Sequence, residues 1–286
     1  MRISPKHLIG GVLIGLILLC ASLVSLPDGK LHLVFCDVGQ GDAIYVRTPG
    51  GEDILVDGGP NDKVLSCLSN HMPFYDRTIE MVFLSHPQAD HLNGLISVLE
   101  RYNVDYFISS GLGSGTEGYT KLASLLKNKN VQQKTETTGG KINLDGIVLK
   151  TIWPSEEEEK VLGASTSESS INTLSLILEL SYGQFTALLT GDADQTVQKL
   201  ISPISQIGQI SVLKVPHHGS KTALLESFLA EIKPQLAVIS VGKNSYGHPS
   251  DVALKQLNDI GAKILRTDKD GEIEIVSDGK TWEVKN

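Results

Sequence analysis

Histidine and aspartate side chains that can bind metal ions are concentrated in three short stretches of this sequence. His86-Pro87-Gln88-Ala89-Asp90-His91 places three such side chains within six residues. Asp192 follows a glycine, and His217 and His218 are adjacent. A lone buried histidine is usually structural, whereas packing rarely explains a cluster of this kind. Imidazole and carboxylate groups together suit zinc or manganese, so the pattern predicts a site for divalent metal ions.

Asp192 is a candidate for joining two ions. A bridging carboxylate can hold two metals about 3.5–4 Å apart, which is the arrangement that activates water against phosphate esters. The residue types therefore favour a site for one or two divalent ions, zinc or manganese, that could activate water for hydrolysis.

Predicted strands position these groups. A short apolar run precedes each of the three stretches; the runs are Met81–Ser85, Phe185–Thr190 and Val212–Val215. Leu236–Val241 precedes a fourth polar segment, Tyr246-Gly247-His248-Pro249, after a short loop. Strand ends usually lie along one edge of a sheet, where sites assemble. We therefore expect all four groups to meet in one site.

The rest of the pattern predicts an α/β fold. Short apolar runs that are flanked by glycines occur at Leu31–Cys36, Ala43–Arg47 and Asp53–Val56. Such runs indicate strands joined by tight turns. Later segments alternate strands and helices, twice over, and this order suggests two sheets packed face to face with helices outside. Residues 28–286 are expected to form one domain, in which Pro154–Thr173 is the predicted mobile loop.

The N-terminal segment predicts a membrane anchor. Leu8–Leu26 contains no charge, and Arg2 and Lys6 precede it. About 20 apolar residues suffice to span the hydrocarbon core, and the basic flank places the N-terminus inside the cell. Residues 1–27 are therefore expected to be a single-pass anchor that leaves the body outside. The alternative is a signal peptide that is cleaved to release a secreted body.

Composition limits the possible partners. The chain has 286 residues and a formal net charge of −8, so it is a poor candidate for a broad basic face that binds nucleic acid. Metal ions or nearby lysines would have to neutralise the charge of any bound phosphate. Cys20, Cys36 and Cys67 form an odd, sparse set without a C-x-x-C pair. Neither a disulfide framework nor a thiolate zinc site is expected.

Six short motifs follow one another along most of residues 31–265. They are Asp37-Val38-Gly39-Gln40-Gly41-Asp42-Ala43, Asp57-Gly58-Gly59, His86-Pro87-Gln88-Ala89-Asp90-His91, Leu189-Thr190-Gly191-Asp192-Ala193, Pro216-His217-His218-Gly219-Ser220 and Tyr246-Gly247-His248-Pro249-Ser250. In type and order they resemble the motifs of the metallo-β-lactamase superfamily, and in particular its ComEC-type branch, which is found at the C-terminus of DNA-uptake proteins. The resemblance implies an αββα four-layer sandwich with a dinuclear metal site at one edge.

The same resemblance implies a set of metal ligands. His86 would serve the first metal, with Gln88 at the place of the family's second histidine. Asp90 and His91 would serve the second metal, and Asp192 would bridge the two. Either His218 or His217 would supply the late histidine ligand, and the sequence leaves that choice open.

Further roles follow from the resemblance. Asp90 and His248 would be catalytic, with His248 contacting the substrate or leaving group, and Asp57 would orient the histidines. Asn172 and Ser175 occupy the region of the superfamily's third histidine. Other residues would hold the Gly-rich loop at the mouth of the site or only form its turn: Asp37, Gln40 and Asp42. Ser220 would support the ligands or bind substrate. Three lysines lie beside the motif loops, where they could contact substrate phosphates: Lys214, Lys221 and Lys243.

Three functions remain open on the sequence. The first is a membrane-tethered, metal-dependent phosphodiesterase, and a nuclease that acts on DNA is its narrower form. The second is a binding module that has lost activity, because the neutral oxygen of Gln88 is a weaker zinc ligand than imidazole. The third is a nucleotide-binding oxidoreductase, since Gly113–Gly118 matches G-x-G-x-x-G with Glu136 downstream. That motif explains none of the histidines. The oligomeric state is left open.

Overall fold

The computed structural model describes residues 7, 15, 26–162, 168–202 and 207–285. Two β-sheets pack face to face in the described part of the chain. The first sheet has eight strands in the order β15-β14-β1-β2-β3-β4-β5-β6. Its strands are β1 (Leu31–Phe35), β2 (Ile44–Arg47), β3 (Asp53–Val56), β4 (Thr78–Leu84), β5 (Asn103–Ser109), β6 (Gln132–Thr135), β14 (Ile273–Ser277) and β15 (Trp282–Lys285).

The second sheet has seven strands in the order β13-β12-β11-β10-β9-β8-β7. Pairing is parallel from β10 through β13 and antiparallel from β7 through β10. Its strands are β7 (Lys141–Leu144), β8 (Ile147–Trp153), β9 (Ile177–Tyr182), β10 (Phe185–Leu189), β11 (Val212–Lys214), β12 (Leu236–Ile239) and β13 (Lys263–Arg266).

Helices cover the outer faces of both sheets. A 3-10 turn, Pro216–Gly219, follows β11. The helices are α1 (Val64–His71), α2 (Ala89–Arg101), α3 (Glu117–Asn128), α4 (Glu156–Leu162), α5 (Glu168–Thr173), α6 (Gln195–Ile201), α7 (Glu226–Ile232), α8 (Asp251–Asp259) and α9 (Thr267–Asp270).

Alternation along the strands builds a four-layer core. In β1, Leu33 faces the other sheet, and its neighbour Val34 faces the layer of α1, α2 and α3. Leu178 of β9 meets the first sheet, whereas Leu188 of β10 packs against the layer of α6, α7 and α8. Successive side chains of a strand point to opposite faces, which explains this division. The prediction of two facing sheets with helices outside is confirmed.

The structure differs from the sequence-based prediction in several elements. Pro154–Thr173 was predicted to be a loop but contains the helices α4 and α5. The strand β6 was not predicted because its sequence, Gln-Gln-Lys-Thr, is polar and exposed along its whole length. Such a strand carries no apolar alternation from which it could be recognised. It pairs at the edge of its sheet, next to β5.

The predicted membrane anchor falls almost wholly outside the described residues. Of its described positions, His7 and Gly15 are helical, whereas Leu26 and Pro27 are not. Among the helices of the described residues, none has the length and apolar character needed to cross a bilayer.

A disulfide joins Cys36, at the end of β1, to Cys67 in α1. The sequence did not indicate this bond, because an odd number of cysteines separated by many residues carries no local signal of pairing. Cys36 leads directly into the loop 37–42, so β1 connects the N-terminal end of the domain with the predicted site.

Candidate metal centre

The ends of three strands bring the predicted ligands together at one edge of the two sheets. His86 lies two residues after β4, Asp192 lies three residues after β10, and His218 lies in the turn after β11. Asp90 and His91 belong to the first turn of α2. All of these side chains lie within one connected network of close contacts.

Four side chains form what we call the inner cluster: Asp90, His91, Asp192 and His218. His218 Nε2 lies 3.4 Å from Asp90 Oδ2 and 3.8 Å from Asp192 Oδ1. His91 Nε2 lies 3.3 Å from the same Asp192 oxygen. Each ligand atom of Asp90, His91 and His218 lies within 4.8 Å of the others, close enough to surround one ion.

Hydrogen bonds fix the two imidazoles of the inner cluster. His91 Nδ1 donates to Asp57 Oδ2 at 2.8 Å, and His218 Nδ1 donates to the carbonyl oxygen of Ser240 at 2.9 Å. When Nδ1 carries the proton, the lone pair of a neutral imidazole lies on Nε2. Both Nε2 atoms therefore face the centre of the cluster with the polarity that a metal ion requires.

Unpartnered atoms show that a cation fits the inner cluster. His91 Nε2, His218 Nε2 and Asp192 Oδ1 are buried and have no hydrogen-bond partner among the described residues. Leaving a buried polar atom unpaired costs about 1–3 kcal/mol, more if it is charged. A divalent ion bound here would satisfy all three atoms at once, and the mixed imidazole and carboxylate donors suit zinc or manganese.

A second group of side chains lies on the other side of Asp192. We call it the outer cluster: His86, Gln88 and His217. His86 Nε2 is 4.0 Å and His217 Nε2 is 3.8 Å from Asp192 Oδ2. Gln88 Oε1 lies 3.0 Å from His86 Nε2. The two oxygens of Asp192 thus face different clusters, which is the geometry of a bridging carboxylate.

The two adjacent histidines belong to different clusters. His218 is buried in the inner cluster, and the partly exposed His217 faces the outer one. Both have left-handed backbone, with φ of 48° and 51°. This conformation costs non-glycine residues about 1–2 kcal/mol. The two ring planes are 76° apart.

Lys214 corrects one prediction. The sequence suggested that this lysine meets substrate phosphates, but its side chain is 0% exposed and contacts Asp42 Oδ2. Its ammonium also donates to the carbonyl oxygen of Gly191 at 2.9 Å and lies 3.9 Å from Asp192 Oδ1. Lys214 is therefore an internal cation that balances the carboxylates beside the inner cluster.

Asp42 lies deeper than the predicted position at the mouth of the site. It is buried, and its Oδ1 is 3.4 Å from His218 Nδ1. Burial raises the pKa of Asp42, but Lys214, His218 and His91 outweigh burial and hold this pKa below its usual range. Asp42 is therefore ionised and connects Lys214 electrostatically to the inner-cluster histidines.

Mutual charge sets the pKa values of the ligands. Burial raises the pKa of Asp192, but His218 and His91 outweigh it and hold the pKa well below the usual range. Burial lowers the pKa of His218, but Asp192 and Asp42 raise it to about 9. The metal-free inner cluster therefore carries protons at neutral pH, and a metal ion must displace them. Burial and the neighbouring His91 ring lower the pKa of His86 to about 4.

Two further predicted residues hold the ligands in place. Asp57 accepts hydrogen bonds from the Ser85 backbone and hydroxyl, both at 2.7 Å, and from His91. The Ser85 hydroxyl oxygen also lies 3.0 Å from His86 Nδ1. Ser175 Oγ accepts a hydrogen bond from the Asp192 backbone at 3.2 Å. Asp57 thus binds His91 directly and is connected to His86 through the Ser85 hydroxyl.

A cavity of about 620 Å³ opens above the two clusters. His248 lies in its wall, with its ring centroid 5.6 Å from that of His217. Burial and the neighbouring His217 lower the pKa of His248, so this ring is neutral at pH 7. The other lining residues are Gln40, Pro60, Gln88, Ala89, Asp90, Asp192, His218, Lys243, Asn244, Ser245 and Tyr246.

Some predicted site residues lie away from this cavity in the described structure. Asp37 is exposed and accepts a hydrogen bond from Gly39, which is turn chemistry. Ser220 is buried beside Thr222, and Lys221 is exposed. Asn172 ends in a buried oxygen without a partner among the described residues. The structure does not bring these four to the cavity wall.

The chain belongs to the metallo-beta-lactamase superfamily, which matches residues 36–243, well over half of its length. Within that superfamily, similarity to three further proteins supports the ComEC-type branch. The chain is 26% identical over 269 residues to Competence protein ComA of Neisseria gonorrhoeae, covering 90% of this chain and 35% of that protein. The chain is 25% identical over 272 residues to ComE operon protein 3 of Bacillus subtilis, covering 86% of this chain and 33% of that protein. It is 27% identical over 273 residues to Recombination protein 2 of Haemophilus influenzae, covering 91% and 31%. The chain therefore spans about a third of these relatives.

Solved structures share the fold at low sequence identity. The metallo-beta-lactamase fold protein YhfI from Bacillus subtilis has a TM-score of 0.56 and 12% identity, covering 85% of this chain and 99% of that one. The metallo hydrolase Igni18 from Ignicoccus hospitalis has a TM-score of 0.54 and 14% identity, covering 85% and 98%. The G-x-G-x-x-G motif behind the oxidoreductase hypothesis spans a loop and a helix start: Gly113–Thr116 belong to the loop after β5, and Glu117 and Gly118 are the first two residues of α3.

Proposed function

We propose that the protein is a metal-dependent phosphodiesterase that acts on nucleic acid outside the cell, tethered to the membrane by residues 8–26. The observation that carries the proposal is the position of Asp192, whose two oxygens face the inner and outer clusters at the floor of an open cavity. The names of two relatives of the chain, Competence protein ComA and Recombination protein 2, support nucleic acid as the substrate.

The cavity wall supplies groups suited to a phosphodiester. A divalent ion bound in the inner cluster would lower the pKa of a water molecule and polarise a phosphoryl oxygen. Lys243 offers a cation, and the neutral imidazole of His248 offers one hydrogen-bond donor and one acceptor. Because His248 lines the cavity, its ring is placed where it could contact a phosphate oxygen or leaving group.

Hydrolysis and metal content test this proposal together. The full chain, loaded with Mn²⁺ or Zn²⁺, should cleave a single-stranded oligonucleotide. Asp192→Asn preserves the size of the side chain but removes its negative charge, so it should lose most bound metal and most activity. Retention of full metal content by this variant would contradict the bridging role, and no cleavage by metal-loaded wild type would contradict the enzyme proposal.

Gln88 supports the second candidate, a binding module with weakened activity. Its Oε1 faces His86 Nε2 at 3.0 Å, where the family has an imidazole ligand. The outer cluster therefore offers one neutral oxygen in place of a stronger donor. A metal-loaded protein that binds an oligonucleotide tightly without cleaving it would favour this candidate over the enzyme.

The Cys36–Cys67 disulfide supports the extracytoplasmic location. Disulfides persist in oxidising compartments and are rare in the cytosol. Protease added to intact cells should cut the body of the protein. Protection of the body until the cells are lysed would contradict the proposed topology.

A further inference from the structure

We propose that Tyr246 is a stacking surface for one nucleobase of the substrate, and that the substrate is accordingly a single strand. This inference rests on the proposed function, because it names the form of nucleic acid that the metal centre would receive. Tyr246 lies at the rim of the cavity, apart from the predicted metal ligands and from the hydrogen-bonding groups of the cavity floor.

The exposure of Tyr246 is the first observation. Its side chain is 74% exposed, the largest value among the exposed large hydrophobic residues of the described chain, although it lines the cavity. A tyrosine that packs in the core buries its ring, whereas a ring held open at the mouth of a site is available to a ligand. Aromatic rings bind bases through their faces, largely irrespective of base identity.

The loop that carries Tyr246 is held rigidly. The Asn244 side chain donates to the carbonyl oxygens of Gly242 and His248, at 2.9 and 2.8 Å. Its Oδ1 accepts from the backbone of Tyr246 and of His248, both at 3.1 Å. Gly247 has φ of 76°, which permits the tight turn between them. Because these hydrogen bonds fix the backbone of the loop, little backbone entropy is lost when a ligand binds to the Tyr246 platform.

A series of rings connects this platform to the metal centre. The Tyr246 ring lies 5.7 Å from the His248 ring, with their planes inclined by 33°. The His248 ring lies 5.6 Å from that of His217, whose Nε2 lies 3.8 Å from Asp192 Oδ2. Tyr246, His248 and Lys243 line the same cavity, so a nucleotide whose base stacks on Tyr246 would bring its backbone into the cavity that the other two residues line.

The charge of the protein favours the single strand. With a net charge of −8, the chain lacks the cations that usually bind a long duplex. In a duplex the base faces are already stacked on one another, whereas a single strand presents them to aromatic side chains. Stacking on Tyr246 is therefore the contact through which an acidic protein can hold a polyanion over a short length.

Cleavage of two matched strands tests the platform. The substrates are a short single-stranded oligonucleotide and the same backbone with abasic sites throughout, each assayed with the Mn²⁺-loaded full chain. Tyr246→Ala should raise KM for the base-containing strand about 5- to 150-fold more than for the abasic strand. Tyr246→Phe should behave like wild type, because stacking needs the ring and not the hydroxyl.

Phe74→Ala is the matched control. Phe74 is an exposed aromatic residue, 51% exposed, that does not line the cavity, so its removal should leave both values of KM unchanged. Equal effects of Tyr246→Ala on both strands would overturn the stacking role, as would no effect on either. Loss in Tyr246→Phe as large as in Tyr246→Ala would assign the contact to the hydroxyl and overturn it too.

Equilibrium binding separates this inference from the proposed function. If wild type cleaves neither strand, the enzyme proposal fails, but fluorescence anisotropy of a labelled oligonucleotide still measures the platform. A 5- to 150-fold rise in Kd in Tyr246→Ala, absent for the abasic strand, would then support stacking by a binding module. An unchanged Kd would overturn it.

Discussion

Replacing Lys214 with methionine should destabilise the metal-free protein by about 3–5 kcal/mol. The Lys214 ammonium and the Asp42 carboxylate are both almost fully buried, so water cannot screen their interaction. Methionine keeps most of the side-chain volume, which limits the loss of packing. The cost arises because Asp42 and the nearby Asp192 keep their negative charges without the cation that balances them.

A double-mutant cycle assigns this cost to charge. In Asp42→Asn the ammonium loses its contacting anion, and in Asp42→Asn combined with Lys214→Met both charges are absent. The double variant should therefore lose less stability than the sum of the two single variants. Added Mn²⁺ should stabilise Lys214→Met more than wild type, since the ion supplies the missing positive charge.

Urea unfolding of chelator-treated protein measures these values, with the fluorescence of the buried Trp153 as a reporter. Lys243→Met is the control, because this exposed lysine should change stability by no more than about 0.5 kcal/mol. A loss below about 1 kcal/mol in Lys214→Met, or strictly additive losses in the cycle, would refute the assignment of Lys214 as an internal cation.

Three further predictions concern protons, Gln88 and the disulfide. Because the pKa of His218 is raised to about 9, the affinity for Mn²⁺ should rise with pH up to that value. For the same reason, the metal-free protein should lose stability between about pH 6.5 and 9, as the proton that stabilises the folded state leaves. Metal titrations and melting curves that do not change with pH would contradict both expectations. Gln88→His should add a second metal per chain and raise phosphodiester hydrolysis, measured by metal analysis and rate; a wild type that already holds two metals would show that Gln88 is a competent ligand. Cys36→Ser with Cys67→Ser should lower the unfolding free energy by about 3–4 kcal/mol, given the 31-residue separation; unchanged unfolding would contradict a disulfide in the native protein.

Much of the site could be predicted because its residues follow apolar runs. Asp192 comes after the apolar strand β10, and His86 comes after β4, so each was placed at a strand end from local pattern alone. The choice between His217 and His218 could not be made in this way. It depends on two successive left-handed residues, and a sequence pattern does not show the backbone conformation of a particular histidine pair.

The contacts that were missed are non-local. Lys214 and Asp42 are separated by most of the domain, and only the packing of the two sheets brings the ammonium against the carboxylate. A lysine at the end of an apolar strand usually reaches solvent, so the sequence suggested a phosphate contact. The disulfide between Cys36 and Cys67 was missed for the same reason, since its partners belong to a strand and a helix that meet only in the folded chain.

If residues 8–26 tether the protein as proposed, the length of β1 bears on the distance between the candidate metal centre and the membrane. The strand begins at Leu31, soon after the proposed tether, and ends at Phe35, next to the disulfide and the loop of Asp42. Five residues of strand extend about 17 Å. Lipid headgroups occupy roughly 5–8 Å on each side of the hydrocarbon core. If β1 stands upright on the tether, the cavity lies beyond the headgroups, where a strand running parallel to the bilayer could reach it without touching lipid.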